Sequence, residues 1–322
     1  MFLLPHPVSG ITRREWLGGL LVTGLGAFGA ADPPKVKRVE VDPGEIEDVR
    51  KRASVAKLNG FGANESELYA ALGDAPEAFR KEALFLCEEL ATSFKTHFHH
   101  KGIDVVMPAR KMMVIALKDK VSYAAFKGEE VGQTEGGHYE VESGRLVIFD
   151  FRELEIKGNN NARRTNTFIL VHEALHQLTF GTGILEREGD IPVAISEGLA
   201  TYGELWRNSR REKILGQLNR PRLMVLSAPG EGQDWIPIAE LLGSDKLFYD
   251  PATEQLAYAE SWLLIYELFK ARASTAKLLA FLKAIKTRKN PGKRIEDAEL
   301  ALGKLDRLDR ELKRSANLMI RG

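Results

Sequence analysis

Residues 168–180 read FILVHEALHQLTF, a run with the apolar periodicity of an α-helix. On such a helix His172 and His176 project about 40° apart, so both imidazoles can bind one metal ion. Glu173 lies within about 100° of His172, where a carboxylate reaches a water molecule near that ion without being a ligand. The opposite side of the helix is apolar. We therefore predict that this helix packs on the domain while its histidines face a cleft.

A catalytic zinc ion takes three protein ligands, so a further ligand must follow the two histidines. One class of zinc site supplies a histidine six residues after the second histidine, but Thr182 stands there. Another class takes a glutamate from a second helix, and Glu197 in AISEGLATY follows His176 by 21 residues. We predict Glu197 as the third ligand. The alternatives to it are Glu186, Glu188 and Glu204.

The two blocks VHEALHQL and ISEGLATY together resemble the gluzincin zinc peptidases, the superfamily that includes thermolysin and the aminopeptidase-N-like enzymes. The resemblance implies one zinc ion held by His172, His176 and Glu197, with Glu173 as the general base. It also implies that Tyr258, in LAYAESWLLIYEL, donates a hydrogen bond to the tetrahedral intermediate.

The resemblance covers roughly residues 75–320 and is closest to a family of exported bacterial peptidases of unassigned substrate. Two features depart from the superfamily's pattern. No G-x-M-E-N block precedes the helix, which argues against an aminopeptidase. Thr201 stands where thermolysin-like enzymes have an aspartate, so the residue that orients a histidine is not identified. Gly198 would be the small residue that lets the two ligand-bearing helices approach.

Local signals predict an α+β fold with a gluzincin-type core: a small mixed sheet with an edge hairpin, the active-site helix and a mostly helical C-terminal part. The run KMMVIALK over residues 111–118 has strand length, and Ser143-Gly144 marks the hairpin turn. The predicted organisation is an N-terminal arm or linker over residues 32–73, an α/β part over 74–180 and a helical part over 181–322.

Composition excludes several classes of protein. The 322 residues are 44% hydrophobic, enough for a sizeable core, and a net charge of +1 gives no basic surface for nucleic acid. Cys87 is the one cysteine, on a predicted apolar stripe, so we expect neither a disulfide nor a multi-cysteine metal site. His138, in the hairpin, is a candidate substrate contact. A cluster of three histidines at a predicted helix end is expected to be solvated: His97, His99 and His100.

The N-terminus has the pattern of an export signal. Arg13 and Arg14 precede a short, glycine-rich apolar run that ends in small residues near Ala30 and Ala31. Paired arginines are typical of the twin-arginine route, so residues 1–31 are predicted to be a signal that is cleaved after export to the periplasm, cell envelope or exterior. The mature chain is then expected to have no stable membrane span. An ordinary secretory signal or an uncleaved anchor is the alternative.

These observations predict an exported zinc metallopeptidase that acts on a peptide or protein substrate. Two alternatives remain open. One is a non-catalytic, zinc-stabilised binding module of the envelope, which would have no use for Glu173. The other is a zinc amidase that acts on a non-peptide or cell-wall amide.

The export signal can be tested by changing both Arg13 and Arg14 to lysine. The charge is kept but the paired arginines are lost, so we expect full-length precursor to accumulate in the cytoplasm. Cell fractionation followed by immunoblotting measures this. Normal export of the double variant would contradict the twin-arginine assignment.

Overall fold

The fold combines a mixed β-sheet in its N-terminal half with a helical C-terminal half, so the α+β class predicted from the sequence is confirmed. The computed structural model describes residues 39–132, 135–154, 162–209, 213–227 and 234–321. They belong to one compact unit, Arg38–Gly322. The predicted export signal over residues 1–31 lies outside the described residues.

Within the described ranges the sheet has five strands in the order β1-β2-β3-β5-β4. Strands β2, β3 and β5 are parallel, while β1 and β4 lie antiparallel at the two edges. The hairpin of β4 and β5 confirms the predicted turn, in which Gly144 has φ +75°. The strands are β1 (Gly62–Glu65), β2 (Tyr69–Gly73), β3 (Met112–Leu117), β4 (Gly137–Glu140) and β5 (Arg145–Phe149).

Eleven α-helices are seen in the same ranges, and seven of them follow α4, the helix that contains His172 and His176. They are α1 (Pro43–Val55), α2 (Glu77–His100), α3 (Lys120–Lys127), α4 (Ala162–Gly181), α5 (Val193–Gly203), α6 (Arg220–Ser227), α7 (Ile238–Gly243), α8 (Glu254–Leu268), α9 (Arg272–Thr287), α10 (Arg294–Leu302) and α11 (Leu305–Arg321).

Both faces of the sheet are covered. All six residues of β3 are buried, as is typical of a parallel strand between helical layers. Val114 and Ala116 belong to the main core, which they share with α2, α4 and the C-terminal helices. Ile115 and Leu117 point the other way, into a smaller cluster with side chains of α1 and α3. Helix α4 therefore lies on the α2 side of the sheet.

Part of the predicted arm over residues 32–73 is an inner part of the sheet. Strand β2 is buried at every position and pairs in parallel with β3. Its sequence, YAALG, is short and lacks the alternation of polar and apolar residues by which half-buried strands are recognised. The predicted division near residue 180 also separates no independent units, because α4 and α5 pack directly against each other.

Helix length and hydropathy bear on the membrane prediction. Across the described ranges, no helix combines the length and apolar character that are needed to cross a bilayer.

Candidate metal centre

Helix α4 is fixed to the sheet by Gln177, whose side chain is 1% exposed. Its Nε2 donates hydrogen bonds to the carbonyl oxygens of Met113 and Gly144, both at 2.9 Å. Leu170 and Ala174 on the same helix are buried in the main core. This attachment leaves the predicted metal-binding histidines on the side of α4 that faces α5 and the cleft.

Helix α5 brings Glu197 to both histidines. Its Oε2 lies 3.2 Å from Nε2 of His172 and 3.4 Å from Nε2 of His176. One donor atom from each residue lies within 4.8 Å of the others, and no other such group of histidine, cysteine or acidic side chains is seen in the described residues. The three residues that the sequence predicted as ligands therefore lie together.

The geometry of this group fits zinc. A tetrahedral zinc ion with bonds of about 2.0–2.1 Å keeps its donor atoms roughly 3.4 Å apart. The separations from Glu197, 3.2 and 3.4 Å, are close to that value, and all three donor atoms lie within 4.8 Å of one another. Two imidazoles and one carboxylate also form one of the donor sets found in catalytic zinc sites, in which the fourth position stays open.

Both imidazoles are oriented by contacts at Nδ1, which leave Nε2 for the ion. Nδ1 of His176 lies 3.0 Å from the hydroxyl of Ser196. Nδ1 of His172 lies 3.4 Å from Oε2 of Glu204. Such partners fix the tautomer and the ring orientation of a histidine that binds metal.

Glu204 fills the role that the sequence left without a residue. It follows Glu197 by seven residues, which is two helical turns on the same face, and it is 1% exposed. Its carboxylate accepts hydrogen bonds from Asn219 at 2.6 Å and from Arg222 at 3.0 and 3.1 Å. Glu204 stands about one helical turn beyond Thr201, the position at which the resemblance led us to expect an aspartate. Glu204 is not a substitute ligand.

The other two substitutes also lie outside the ligand group. Glu186 is half-buried and 3.9 Å from Lys286, and Glu188 is exposed. The hydroxyl of Thr201 donates to the backbone carbonyl of Glu197 within α5.

The electrostatics of the centre favour a positive charge. Burial disfavours protonated His172, but hydrogen bonds with Glu197 and Glu204 outweigh this effect and raise the pKa of His172 to about 10. Burial also opposes ionisation of Glu204, yet its contacts with His172 and Arg222 lower the pKa of that carboxyl to about 2. The carboxylates therefore attract a cation to the imidazoles, and a metal ion that binds there must displace the proton.

Two glycines of α5 allow neighbouring helices to pack closely against it. A Cβ at Gly198 would lie 2.7 Å from the backbone oxygen of Ser261 and from Ile265, both on α8. A Cβ at Gly203 would lie 2.7 Å from Leu175 on α4. The prediction that Gly198 lets the two ligand-bearing helices approach is therefore wrong. Gly198 allows α8 to approach, and Gly203 faces α4.

Helix α8 brings Tyr258 to the centre, with its ring centroid 6.4 Å from that of His172. Burial and the charges of Glu197 and Glu173 raise its pKa, so the hydroxyl stays protonated. The guanidinium of Arg222 lies 5.2 Å from the Tyr258 ring centroid. In the described structure the Tyr258 hydroxyl has no hydrogen-bond partner, and it is free to donate to a ligand.

A cleft of about 400 Å³ adjoins the metal centre. It is bounded by the start of β4, the N-terminal half of α4 and the N-terminus of α8. Glu173 is half-buried in its wall, and its carboxylate has no hydrogen-bond partner within the described ranges. The charged residues and the tyrosine of its lining are Glu135, Glu173, Arg222, Glu254 and Tyr258.

Sequence reasoning missed Tyr139, which lies on the edge strand β4. Its ring stacks on His176, with centroids 6.4 Å apart, and on Phe180. Its neighbour His138 points the opposite way, to the hydroxyl of Tyr123 at 2.5 Å. His138 is not among the described residues that line the cleft, and the strand alternation could have identified Tyr139 on the side that faces α4.

The histidine cluster at the end of α2 is only partly solvated. His97 is half-buried against Tyr202, with Nε2 3.0 Å from the Tyr202 hydroxyl, and burial lowers its pKa to about 4. His99 is exposed and lies 3.0 Å from Asp104. Neither belongs to the metal-binding group.

A family model described as "Protein of unknown function (DUF1570)" matches residues 166–291. The matched segment contains all three metal-binding candidates, Glu173, Glu204 and Tyr258, but it is less than half of the chain. No curated protein matches the chain.

Changing Glu204 to glutamine tests whether this carboxylate orients His172. The amide keeps the shape but loses the charge, so we expect zinc affinity to fall by about 10- to 100-fold. Competition with a chromophoric chelator measures the affinity, and circular dichroism checks that the variant is folded. Glu197→Ala serves as the reference, because it removes a ligand and should reduce affinity further. Zinc binding by Glu204→Gln equal to that of wild type would refute the orienting role.

Proposed function

We propose that the protein is a zinc-dependent hydrolase, and that it is a metallopeptidase of the gluzincin type. The observation that carries this proposal is the convergence of three donor atoms within 4.8 Å beside a cleft that also contains a free carboxylate. A structural zinc site needs no such neighbour, whereas hydrolysis needs a base and room for a substrate.

The arrangement of the elements supports a gluzincin-type core. The first two ligands lie on α4 and the third on α5, in the order and spacing of the resembling superfamily. Helix α4 packs under a mixed sheet whose edge strand β4 borders the cleft. The metal would be held by His172, His176 and Glu197.

Each site residue has a role that fits its surroundings. Bound zinc would acidify water and polarise a carbonyl group. Glu173 is placed to take a proton from the attacking water and to return it to the leaving amine. Tyr258 is placed to donate a hydrogen bond to the carbonyl oxygen as negative charge develops there. Glu204 and Ser196 hold the imidazoles in position.

The edge of the sheet offers a way to hold a peptide. In the described residues β4 pairs only with β5, so its outer backbone groups are available to an extended chain. Gly136 and Gly137, at the start of β4, line the cleft together with His172. An added strand would supply hydrogen bonds that do not depend on the peptide's sequence. This favours a peptide over the non-peptide amide considered above.

The proposal also includes export, on the strength of the paired arginines at the N-terminus. A protein that is exported already folded could carry its metal with it.

Glu173→Gln should retain one zinc ion per chain and lose at least about 10²-fold in turnover, because an amide cannot accept the proton. Metal analysis and digestion of a quenched fluorescent peptide library measure the two properties. Glu188→Gln removes an exposed carboxylate from the same region and should behave as wild type. Normal turnover by Glu173→Gln would show that Glu173 is not the base. If the wild-type protein binds zinc but cleaves no peptide, the binding-module alternative is favoured.

Tyr258→Phe deletes only the hydroxyl. If this group donates to the developing oxyanion, kcat should fall by about 10²-fold, roughly 2.7 kcal/mol, with zinc content and KM nearly unchanged. Tyr266→Phe, on the same helix, is the matched control for loss of a hydroxyl. Turnover of Tyr258→Phe within a few-fold of wild type would make Tyr258 a packing residue. A backbone amide would then be the remaining donor, because Tyr202 and His138 face other partners.

A further inference from the structure

We infer that the cleft selects a substrate with a positively charged group close to the scissile bond, and that Glu254 binds this group. The inference rests on the proposed function, since it names the class of substrate that the same cleft would take. Glu254 stands in the first turn of α8 and lines the cleft beside Tyr258 and Glu173.

Two other charged residues of the cleft, Glu135 and Arg222, already have partners. Glu135 accepts hydrogen bonds from Lys127 and from the hydroxyl of Tyr123, both at 2.7 Å. Arg222 holds Glu204 through two hydrogen bonds. A bound divalent ion would offset the charges of Glu197 and Glu173.

Besides Glu173, the proposed base, Glu254 is the cleft carboxylate without a partner in the described residues. It is half-buried, and it has neither an ion pair nor a side-chain hydrogen bond within the described part of the chain. A half-buried carboxylate has lost part of its hydration, and a cation brought in by a ligand can compensate it through a charge-assisted hydrogen bond. The charge distribution of the cleft therefore disfavours acidic substrates.

The position of Glu254 relates the cation to the reacting bond. Glu254 and Tyr258 are four residues apart on one helix, so their side chains lie on the same face, one turn of about 5.4 Å from each other. Tyr258 is the proposed donor to the carbonyl oxygen. One helical turn spans between one and two residues of an extended peptide, which advance about 3.3 Å each. The cation is thus expected within two residues of the scissile bond.

Two groups of a peptide can supply this cation: the side chain of lysine or arginine, and the free α-amino group. Both are hydrogen-bond donors that carry one positive charge. A side-chain cation would give an endopeptidase that prefers basic residues. An α-amino group would give cleavage near the N-terminus.

The test uses acetylated, amidated alanine-rich hexapeptides in which one lysine, or one norleucine of similar length but no charge, occupies each position in turn. A second set carries a free N-terminus. Hydrolysis by the full-length mature protein is measured first. Binding of the same peptides to zinc-loaded Glu173→Gln is then measured by isothermal titration calorimetry, which requires no turnover.

The expected result is a preference of about tenfold for the charged peptide, a typical effect of one charge-assisted hydrogen bond, in one register or for the free N-terminus. Glu254→Gln should abolish this preference, so that the lysine and norleucine peptides are hydrolysed and bound to the same extent. Glu240→Gln is the control, because Glu240 is likewise a carboxylate in the first turn of a helix but is exposed and lies outside the cleft lining.

The outcomes separate this inference from the proposed function. Hydrolysis without a preference for the charged peptides, or a preference that survives in Glu254→Gln, overturns the role of Glu254 and leaves the hydrolase. Preferential binding that depends on Glu254 without any hydrolysis supports the cation site and overturns the hydrolase. Equal binding of charged and uncharged peptides to the Glu173→Gln protein overturns the cation site in either case.

Discussion

The carboxylate of Glu197, held between the imidazoles of His172 and His176, is the interaction on which the centre depends. A buried carboxylate is costly unless a positive charge compensates it. Here the compensating charge must be a proton or an ion on the two histidines, which ties α5 to α4 at one point. The remaining features serve to hold that point: Gln177 fixes α4 to the sheet, and Gly203 faces α4 where the two helices pack.

The polar groups of the centre form two sets. The donor atoms of His172, His176 and Glu197 converge on one position, and Ser196 and Glu204 contact the histidines and fix their orientation. The guanidinium of Arg222 makes two contacts near the centre: it binds the carboxylate of Glu204 and lies over the ring of Tyr258. The orientation of His172 and the placement of Tyr258 therefore share one guanidinium, and changes at the two residues should not be energetically independent.

The sequence predicted those parts of the site that local spacing determines. His172, Glu173 and His176 lie on one helix, so their relative positions follow from its period. Glu197 was predicted because it is a glutamate on a second predicted helix, 21 residues after His176. The role of Glu204 could not be predicted in this way, because it depends on Asn219 and Arg222, which approach only when α6 packs. The partner of Gly198 was missed for the same reason, since a glycine does not show which helix crosses it.

The fold shows the same limit. Strand β3 and the hairpin were predicted from a strand-length apolar run and from a turn signal, both of which are local. Strand β2 has neither, and its five small or apolar residues form a strand because β3 lies beside it. Strands β1 and β2 both lie within residues 32–73, which the sequence analysis assigned to an arm or linker. The metallopeptidase activity and the zinc ion stay predictions, supported by the geometry of the centre.

The position of the three metal-binding candidates along the chain has a mechanical consequence. His172 and Glu197 are 25 residues apart, on helices that are consecutive in sequence. An ion bound there would act as a cross-link between neighbouring segments, and such a link removes less conformational entropy from the unfolded chain than one that closes a longer loop. It would also span no part of the sheet. The ion would thus link only α4 and α5. The rest of the fold does not depend on it, and the protein is expected to stay folded while metal binds or dissociates.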